Sequence, residues 1–526
     1  MLRSVIQYRP DACLDIIDSL CANINNRSVV KITLSELFER KYSSLYKAIH
    51  QFCFTHNISF ANIADFCLYL EMPTKFQIIL IDVTPYKSNS KKLTDKQKVY
   101  NASSNSDKPV CNGHNYSIVS VPVIGNNDHD ASWTPPISVA RVPSDINAAE
   151  FGMKQVSAVL NDDSIRSIDK DNPISMADAG YNTPKAILAV SSNLEKNLTH
   201  IVRCRGGRVC FKTVNTKLNK PGRPMIYGTK IKLNTEADKM LSPDLFFKRN
   251  DIKSNGKEVV VSVSVWGGMV FRSQKNFEAH RYPFSLIRIS VTTSEGKKVF
   301  ARPLWLCIYG KNRDNIVFSL ADKVYQVRFL IEVLFKYSKQ NFLFNRFQTP
   351  ITSNAENMVF LIFLAYLQCF ICRKKADSFF YPWEYNKKNK PTDRVKSVSE
   401  VQQSFPAIMK ALKISKKSPK QRGKSKGRSV GQTIKKRKNS KVIIKKIQNK
   451  LESEIAFSNL QPGIFEKLEE QICENGNSKK IKCQEQKITM EFRKETVFSD
   501  SSVNSAPIMN QHKPNSSYRN SRGPPG

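Results

Sequence analysis

The chain has few acidic residues for its size. It contains 45 Asp and Glu against 83 Lys and Arg in 526 residues, which leaves a formal net charge of +38. This surplus argues against a cationic partner and favours a polyanionic one, such as nucleic acid or an anionic membrane surface. The length allows two or three domains with a substantial core.

The sequence also shows no cysteine framework and no apolar run as long as a typical membrane span. The twelve cysteines follow no framework, and Cys369 and Cys372 have no second Cys or His pair at zinc-binding spacing. No secretory signal opens the sequence, so we expect a reducing, cytosolic protein with free thiols. The longest apolar run, Met358–Cys372, is shorter than the roughly 20 residues of a membrane span. We interpret it as a buried helix.

One predicted helix carries a narrow polar stripe. At 100° per residue, Tyr325, Arg328, Glu332 and Lys339 lie within about 60° of one face of the predicted helix Tyr325–Lys339. The other positions are mostly apolar, which is typical of a buried helix. The stripe has two interpretations: a solvated edge with an i,i+4 ion pair, or a functional site.

Two aspartates occur at predicted strands. Phe76–Ile81 is an apolar, β-branched run typical of a buried central strand, and Asp82 interrupts it. A carboxylate there is costly to bury without a metal or cation, although a turn at the end of the strand is the alternative. Ile174–Ala177 predicts a second short strand, which ends in Asp178.

The spacing Tyr-(2)-Arg-(3)-Glu-(6)-Lys at residues 325–339 resembles the motif of bacterial insertion-sequence transposases of the DDE type. The resemblance covers about residues 75–430. It implies an RNase H-like α/β core in which Asp82, Asp178 and Glu332 are the catalytic and metal-binding acids.

The resemblance also implies a chemistry. Carboxylate oxygens suit Mg²⁺ or Mn²⁺, and two ions would serve phosphodiester hydrolysis followed by transesterification. The expected function is cleavage at transposon ends and transfer of their 3′-hydroxyls into target DNA. The expected partners are double-stranded DNA and, in the synaptic complex, a second copy of the chain, with no membrane.

Cations at and beyond the motif are candidate DNA contacts. Arg328 and Lys339 would hold the phosphates that flank the scissile bond, and Tyr325 would hydrogen-bond a phosphate or stack beside it. The further predicted DNA-binding residues are Arg203, Arg205, Arg223, Lys435, Lys436, Arg437 and Lys438.

The resemblance, together with composition at the two ends of the chain, implies six regions. They are a helical N-terminal region at 1–70 that is a candidate for binding DNA ends, the first part of the core at 71–205, a β-rich insertion at 206–320, the core helices with the motif at 321–390, a basic DNA-binding arm at 391–450, and a disordered tail at 451–526. Two other functions stay open: a catalytically inactive DNA-binding remnant of a mobile element, and an RNase H-like nuclease without strand transfer. The β-rich insertion and the basic arm argue against a bare nuclease.

Overall fold

A large mixed β-sheet with helices packed on it forms the framework of the protein. The computed structural model describes residues 2–72, 74–100, 110–125, 130–214, 225–233, 237–253, 256–376, 395–412, 429–433 and 436–443. This mixed α/β architecture was predicted from the sequence. The predicted tail at 451–526 and the predicted DNA-binding residues Arg223 and Lys435 lie outside the described residues.

Helices and strands are interspersed along the chain up to residue 204. Strands predominate from there to residue 309. The helices are α1 (Leu2–Val5), α2 (Pro10–Cys21), α3 (Ser43–Gln51), α4 (Phe60–Glu71), α5 (Ala148–Asn161), α6 (Pro184–Ala189), α7 (Ser191–Lys196), α8 (Ala237–Met240), α9 (Ala321–Gln326), α10 (Phe329–Gln340), α11 (Thr352–Ala376) and α12 (Val398–Ala411). The strands are β1 (Ile78–Lys87), β2 (Gln97–Tyr100), β3 (Val110–Ser120), β4 (Pro136–Val142), β5 (Ile174–Ala177), β6 (Thr199–Cys204), β7 (Val209–Thr213), β8 (Tyr227–Lys232), β9 (Leu245–Ile252), β10 (Glu258–Val270), β11 (Phe284–Thr293) and β12 (Leu304–Tyr309).

Five strands make the part of the sheet that carries the candidate site. They lie in the order β4-β3-β1-β5-β6, in which β3 is antiparallel to β1 and β4, and β5 is parallel to β1 and β6. The helix α5 connects β4 to β5 and packs against β1 and β3. The sheet continues from β6 through β12, β11, β10, β7 and β8, with β9 paired to β10 and β2 paired to β3.

The strand β1 lies inside the sheet, with a paired strand on each side, and most of its apolar residues are buried. Residues 79–81 have no exposed surface, and the strand pairs with β3 on one side and β5 on the other. A turn at Asp82 does not form, because β1 continues through Pro85 to Lys87. Pro85 is tolerated because β5 pairs with β1 only as far as Leu80, so no partner on that side needs its missing amide donor.

The apolar run predicted to be a buried helix lies within α11. This helix of 25 residues is long and apolar enough to cross a membrane, but 67% of its most apolar window is buried inside the protein. It packs against α2, α3, α4, α10 and α12. The prediction of a buried helix at Met358–Cys372 is therefore confirmed.

The N-terminal region contains the helices α1 to α4. Residues 34–54 have apolar side chains at helical spacing, and within this range Ser43–Gln51 forms α3. A 3₁₀ helix at Val29–Leu34 precedes it. The region packs on α11 through α2, α3 and α4. Its apolar spacing therefore reflects burial against that helix.

A partly buried carboxylate joins α2 to α11. The Oδ1 atom of Asp18 accepts a hydrogen bond of 2.6 Å from Nε2 of Gln368. Burial nevertheless raises the pKa of Asp18 to about 6, because removing the charge from water outweighs the hydrogen bond that stabilises it. The folded protein therefore binds a proton at this position more tightly than the unfolded chain does.

We predict that Asp18→Asn stabilises the protein more at pH 8 than at pH 5. The folded pKa is raised, so this group's contribution to the free energy of unfolding falls as pH rises from about 4 to about 6 and stays low above that. An asparagine keeps an acceptor for Gln368 and does not ionise. Thermal unfolding at the two pH values measures the difference, with the exposed Asp163→Asn as control. A change in Tm that is equal at both pH values would contradict this account.

Candidate active site

Two carboxylates are brought side by side by the parallel strands β1 and β5. Leu80 pairs with Met176 in the register of these strands, so Asp82 and Asp178, two residues further on, lie at the same level. Neighbouring strands are about 4.8 Å apart, and matching positions of parallel strands point to the same face. Asp178 follows the end of β5 directly and is near enough to raise the pKa of Asp82.

The third predicted acid lies on a helix that is interrupted just before it. The prediction of one continuous helix at Tyr325–Lys339 is wrong, because α9 ends at Gln326 and α10 begins at Phe329. Between them the backbone tightens into 3₁₀ geometry, with Arg328 N bonded to Tyr325 O at 3.1 Å. Side chains three residues apart eclipse in this geometry, so Tyr325 and Arg328 project from the same side of the chain.

The guanidinium of Arg328 joins two of the three acids. Its Nη2 atom donates to Oδ2 of Asp82 at 3.0 Å, and its Nη1 atom donates to Oε1 of Glu332 at 2.7 Å. The side chains of Arg328 and Asp82 are only 13% and 19% exposed, whereas that of Glu332 is 43% exposed. The i,i+4 ion pair between Arg328 and Glu332 does form. The same guanidinium also pairs with Asp82 on the central strand, so the contact is not confined to a solvated helix edge.

Burial dominates the electrostatics of Asp82. It raises the pKa of this carboxyl to about 6, while Arg328 and the Val83 amide oppose the rise and the charges of Asp178 and Glu332 add to it. Burial alone would lower the pKa of Arg328, but Asp82 and its other neighbours raise it. The arginine therefore stays charged beside a carboxylate that lacks full hydration.

Two more residues of the predicted stripe lie around this bridge. The hydroxyl of Tyr325 donates to the carbonyl of Ala177 at 3.2 Å and so ties α9 to the residue that precedes Asp178. The pKa of Lys339 is lowered, first by burial and then by the nearby charge of Lys87, while Asp82 opposes the shift. The stripe therefore faces the two aspartates.

The donor atoms suit divalent ions, although they do not converge on one point. Carboxylate oxygens from Asp82, Asp178 and Glu332 are the ligands that Mg²⁺ and Mn²⁺ prefer. Among the described residues, no three His, Cys, Asp or Glu side chains are close enough to hold a single ion. One oxygen of the Glu332 carboxylate, Oε1, accepts a hydrogen bond from Arg328, so a metal that took this oxygen would displace the arginine. The residues fit a divalent ion in their chemistry.

The other predicted DNA-binding residues lie at different distances from this cluster. Arg203, on β6, is exposed and near enough to Tyr325 to affect its pKa. Arg205 is exposed in the turn that follows β6. Residues 436–438 are exposed and belong to a separate segment that docks beside β2. The sequence analysis missed Lys87, because its position next to Lys339 depends on β1 continuing beyond Pro85.

Comparison with known proteins identifies a related family for part of the chain. A family model described as "DDE superfamily endonuclease" matches residues 4–255. No curated protein matches the chain. The matched range contains Asp82 and Asp178 and ends before Glu332, and it includes the N-terminal helices, which lie outside the range 75–430 of the sequence analysis. The chain thus resembles DDE transposases, and the match supports an enzyme of nuclease or transposase type that acts on DNA.

We predict that Arg328→Ala destabilises the protein by about 3 kcal/mol at pH 8, because it leaves the Asp82 carboxylate buried without its partner. The loss should be smaller at pH 5, where Asp82 is largely protonated. The matched double variant Arg328→Ala/Asp82→Asn removes both charges and should recover part of the stability. Denaturant unfolding measures all three proteins, and equal losses in the single and double variants would contradict the pairing.

Proposed function

We propose, from the resemblance to DDE superfamily endonucleases, that the chain is a DNA transposase that cleaves transposon ends and transfers their 3′-hydroxyls into target DNA. The observation that supports the proposal is that Arg328 links two acids from distant parts of the sequence, Asp82 and Glu332, and that Asp178 lies level with Asp82. Asp82 comes from the central strand, Asp178 from the end of its parallel neighbour and Glu332 from α10. Arg328 contacts the first and the last of them.

We propose further that the core is RNase H-like. The strand order β4-β3-β1-β5-β6, with its antiparallel and parallel halves, supports this assignment. The strands β7 to β12 would belong to the β-rich insertion at 206–320, placed between the second and third acids. The regions 1–70, 321–390 and 391–450 keep their proposed roles in binding DNA ends, in catalysis and in non-specific DNA binding.

The proposed cofactor is a pair of Mg²⁺ or Mn²⁺ ions held by the three carboxylates. Such ions supply Lewis acidity for in-line displacement at phosphorus and lower the pKa of an attacking water or hydroxyl group. The match supports divalent-metal chemistry in general terms, and the number and kind of ions belong to the proposal.

The cations of the chain would position the DNA. Arg328 would exchange Glu332 for a substrate phosphate. Together with Lys339 it would then neutralise phosphate oxygens next to the bond that breaks. In the cleavage step water attacks phosphorus and the 3′-oxygen leaves with a proton. In the transfer step that 3′-hydroxyl attacks a target phosphate and displaces a target 3′-oxygen. Tyr325 would act as a positioning residue, through the Ala177 carbonyl.

The biological setting is proposed in the same terms. A second copy of the chain would complete a synaptic complex that pairs two transposon ends. The protein would work in the bacterial cytoplasm and associate with the nucleoid through DNA. An inactive DNA-binding remnant would keep the basic surface without cleavage, and a simple nuclease would cleave without joining ends to a target.

We predict that Asp82→Asn, Asp178→Asn and Glu332→Gln each lower Mg²⁺-dependent cleavage about a thousandfold, which corresponds to about 4 kcal/mol of lost transition-state stabilisation. The substrate is a duplex with the DNA ends that flank the coding sequence, and the exposed Glu195→Gln serves as control. Binding of the duplex should be retained in all four variants.

The outcomes separate the candidate functions. Cleavage together with joined products in the wild type supports the transposase, and cleavage without joined products favours a nuclease. Binding without cleavage in Mg²⁺ and in Mn²⁺ favours the inactive remnant. Normal cleavage by any one acid variant would remove that residue from the site.

A further inference from the structure

The segment 436–443 docks on the edge of the sheet next to β2. The amide of Ile443 donates to Lys96 O at 2.8 Å, and Ile443 forms a parallel bridge with Gln97. The amide of Ser440 donates to Lys91 O at 3.1 Å. These backbone contacts fix the segment to the loop 88–96, so two basic stretches that are far apart in sequence become neighbours.

The position of the loop 88–96 along the strands, relative to Asp82, follows from the strand pairing. Lys87, at the end of β1, and Gln97, at the start of β2, both pair with Gly113 of β3, so the loop crosses β3 at this level. Five residues of β1 separate Lys87 from Asp82, which corresponds to about 17 Å along the strand.

The same loop is joined to the link between α10 and α11. Nε2 of Gln348 donates to Lys87 O at 3.2 Å, and Oε1 of Gln348 accepts from Asn89 N at 3.0 Å. The amide of Lys87 donates to Oδ1 of Asn345 at 3.2 Å. The loop is therefore anchored to the chain that leaves the helix of Glu332.

Exposed cations cover the loop, the adjoining strand and the docked segment. We define the basic shelf by its seven exposed cations, which are Lys91, Lys92, Lys98, Lys436, Arg437, Lys438 and Lys441. None of them forms an ion pair within the described part of the chain. The nearest exposed acid in the loop, Asp95, has its own partner in Arg141 at 3.9 Å. The buried Lys96 caps the carbonyl of Lys91 and stabilises the loop.

We propose that the basic shelf binds the phosphate backbone of double-stranded DNA, outside the site of the three acids and about 17 Å from Asp82 along β1. This inference rests on the proposed function, because it assigns the shelf to the DNA that extends from the reacting phosphate. A duplex rises about 3.4 Å per base pair, so a duplex that ran along β1 from that phosphate would reach the level of the shelf after roughly five base pairs. Lysines and arginines without acidic partners suit contacts to phosphates rather than to bases.

The test measures binding of a 30-base-pair duplex of arbitrary sequence, without divalent ions, between 50 and 200 mM salt. Lys91→Ala/Lys92→Ala should make the slope of log affinity against log salt shallower by about 1.8, or 0.9 for each lost phosphate contact. Ile443→Pro removes the amide donor to Lys96 without changing any charge, and it should also weaken binding if the segment must dock to contribute.

The control is Lys297→Ala/Lys298→Ala, which removes two exposed charges from the turn after β11. Five strands separate β11 from β2 in the sheet, so this variant should keep the wild-type slope. Equal slopes for the wild type and the Lys91/Lys92 variant, or an equal change in the control, would overturn the proposal. If Ile443→Pro binds the duplex as tightly as the wild type, the segment need not dock on the loop in order to bind DNA, and that part of the proposal is overturned. Thermal unfolding of each variant checks that the fold is kept.

One further arm separates this inference from binding to a membrane. Vesicles of phosphatidylserine and phosphatidylcholine test for a membrane partner, and a variant that loses vesicle binding but keeps DNA binding would overturn the proposal. Cleavage is not part of the readout. A wild type that binds through the shelf but does not cleave therefore counts against the proposed function and leaves the shelf supported.

Discussion

The pairing of the Arg328 guanidinium with Asp82 is the contact on which the candidate site depends. A carboxylate in the middle of a central strand would be costly without a counter-charge, and burial already raises its pKa to about 6. Arg328 supplies that charge and uses its second nitrogen to hold Glu332. One side chain thus links the sheet to α10. It occupies one oxygen of each of these two carboxylates.

The fold positions the remaining groups through backbone pairing. The parallel register of β1 and β5 sets Asp178 level with Asp82, and the hydroxyl of Tyr325 holds the last residue of β5. The 3₁₀ turn between α9 and α10 directs Tyr325 and Arg328 to the same side. Strand register is rigid because a slip of one residue would turn every buried side chain outward. The spacing of the two aspartates is therefore fixed more firmly than the position of Glu332, which depends on a side-chain contact.

Much of this arrangement could be predicted from the sequence, and the exceptions have physical causes. The apolar runs around residues 76–81 and 358–372 predicted a central strand and a buried helix, because burial leaves a strong trace in composition. The break at residues 327–328 could not be predicted, since α and 3₁₀ turns share the same residue preferences. The continuation of β1 through Pro85 depends on where β5 ends, which is a property of the whole sheet. The docking of residues 436–443 uses backbone hydrogen bonds, which leave no side-chain signature.

The central claim is that Asp82, Asp178 and Glu332 together bind divalent ions, and counting bound Mn²⁺ tests it most directly. Electron paramagnetic resonance of free Mn²⁺ during a titration gives the number of ions bound per chain in the presence of duplex DNA. The account predicts two ions for the wild type and a loss of at least one in Asp82→Asn, with Glu195→Gln unchanged. Mn²⁺ binding that is the same in the wild type and in Asp82→Asn would contradict it.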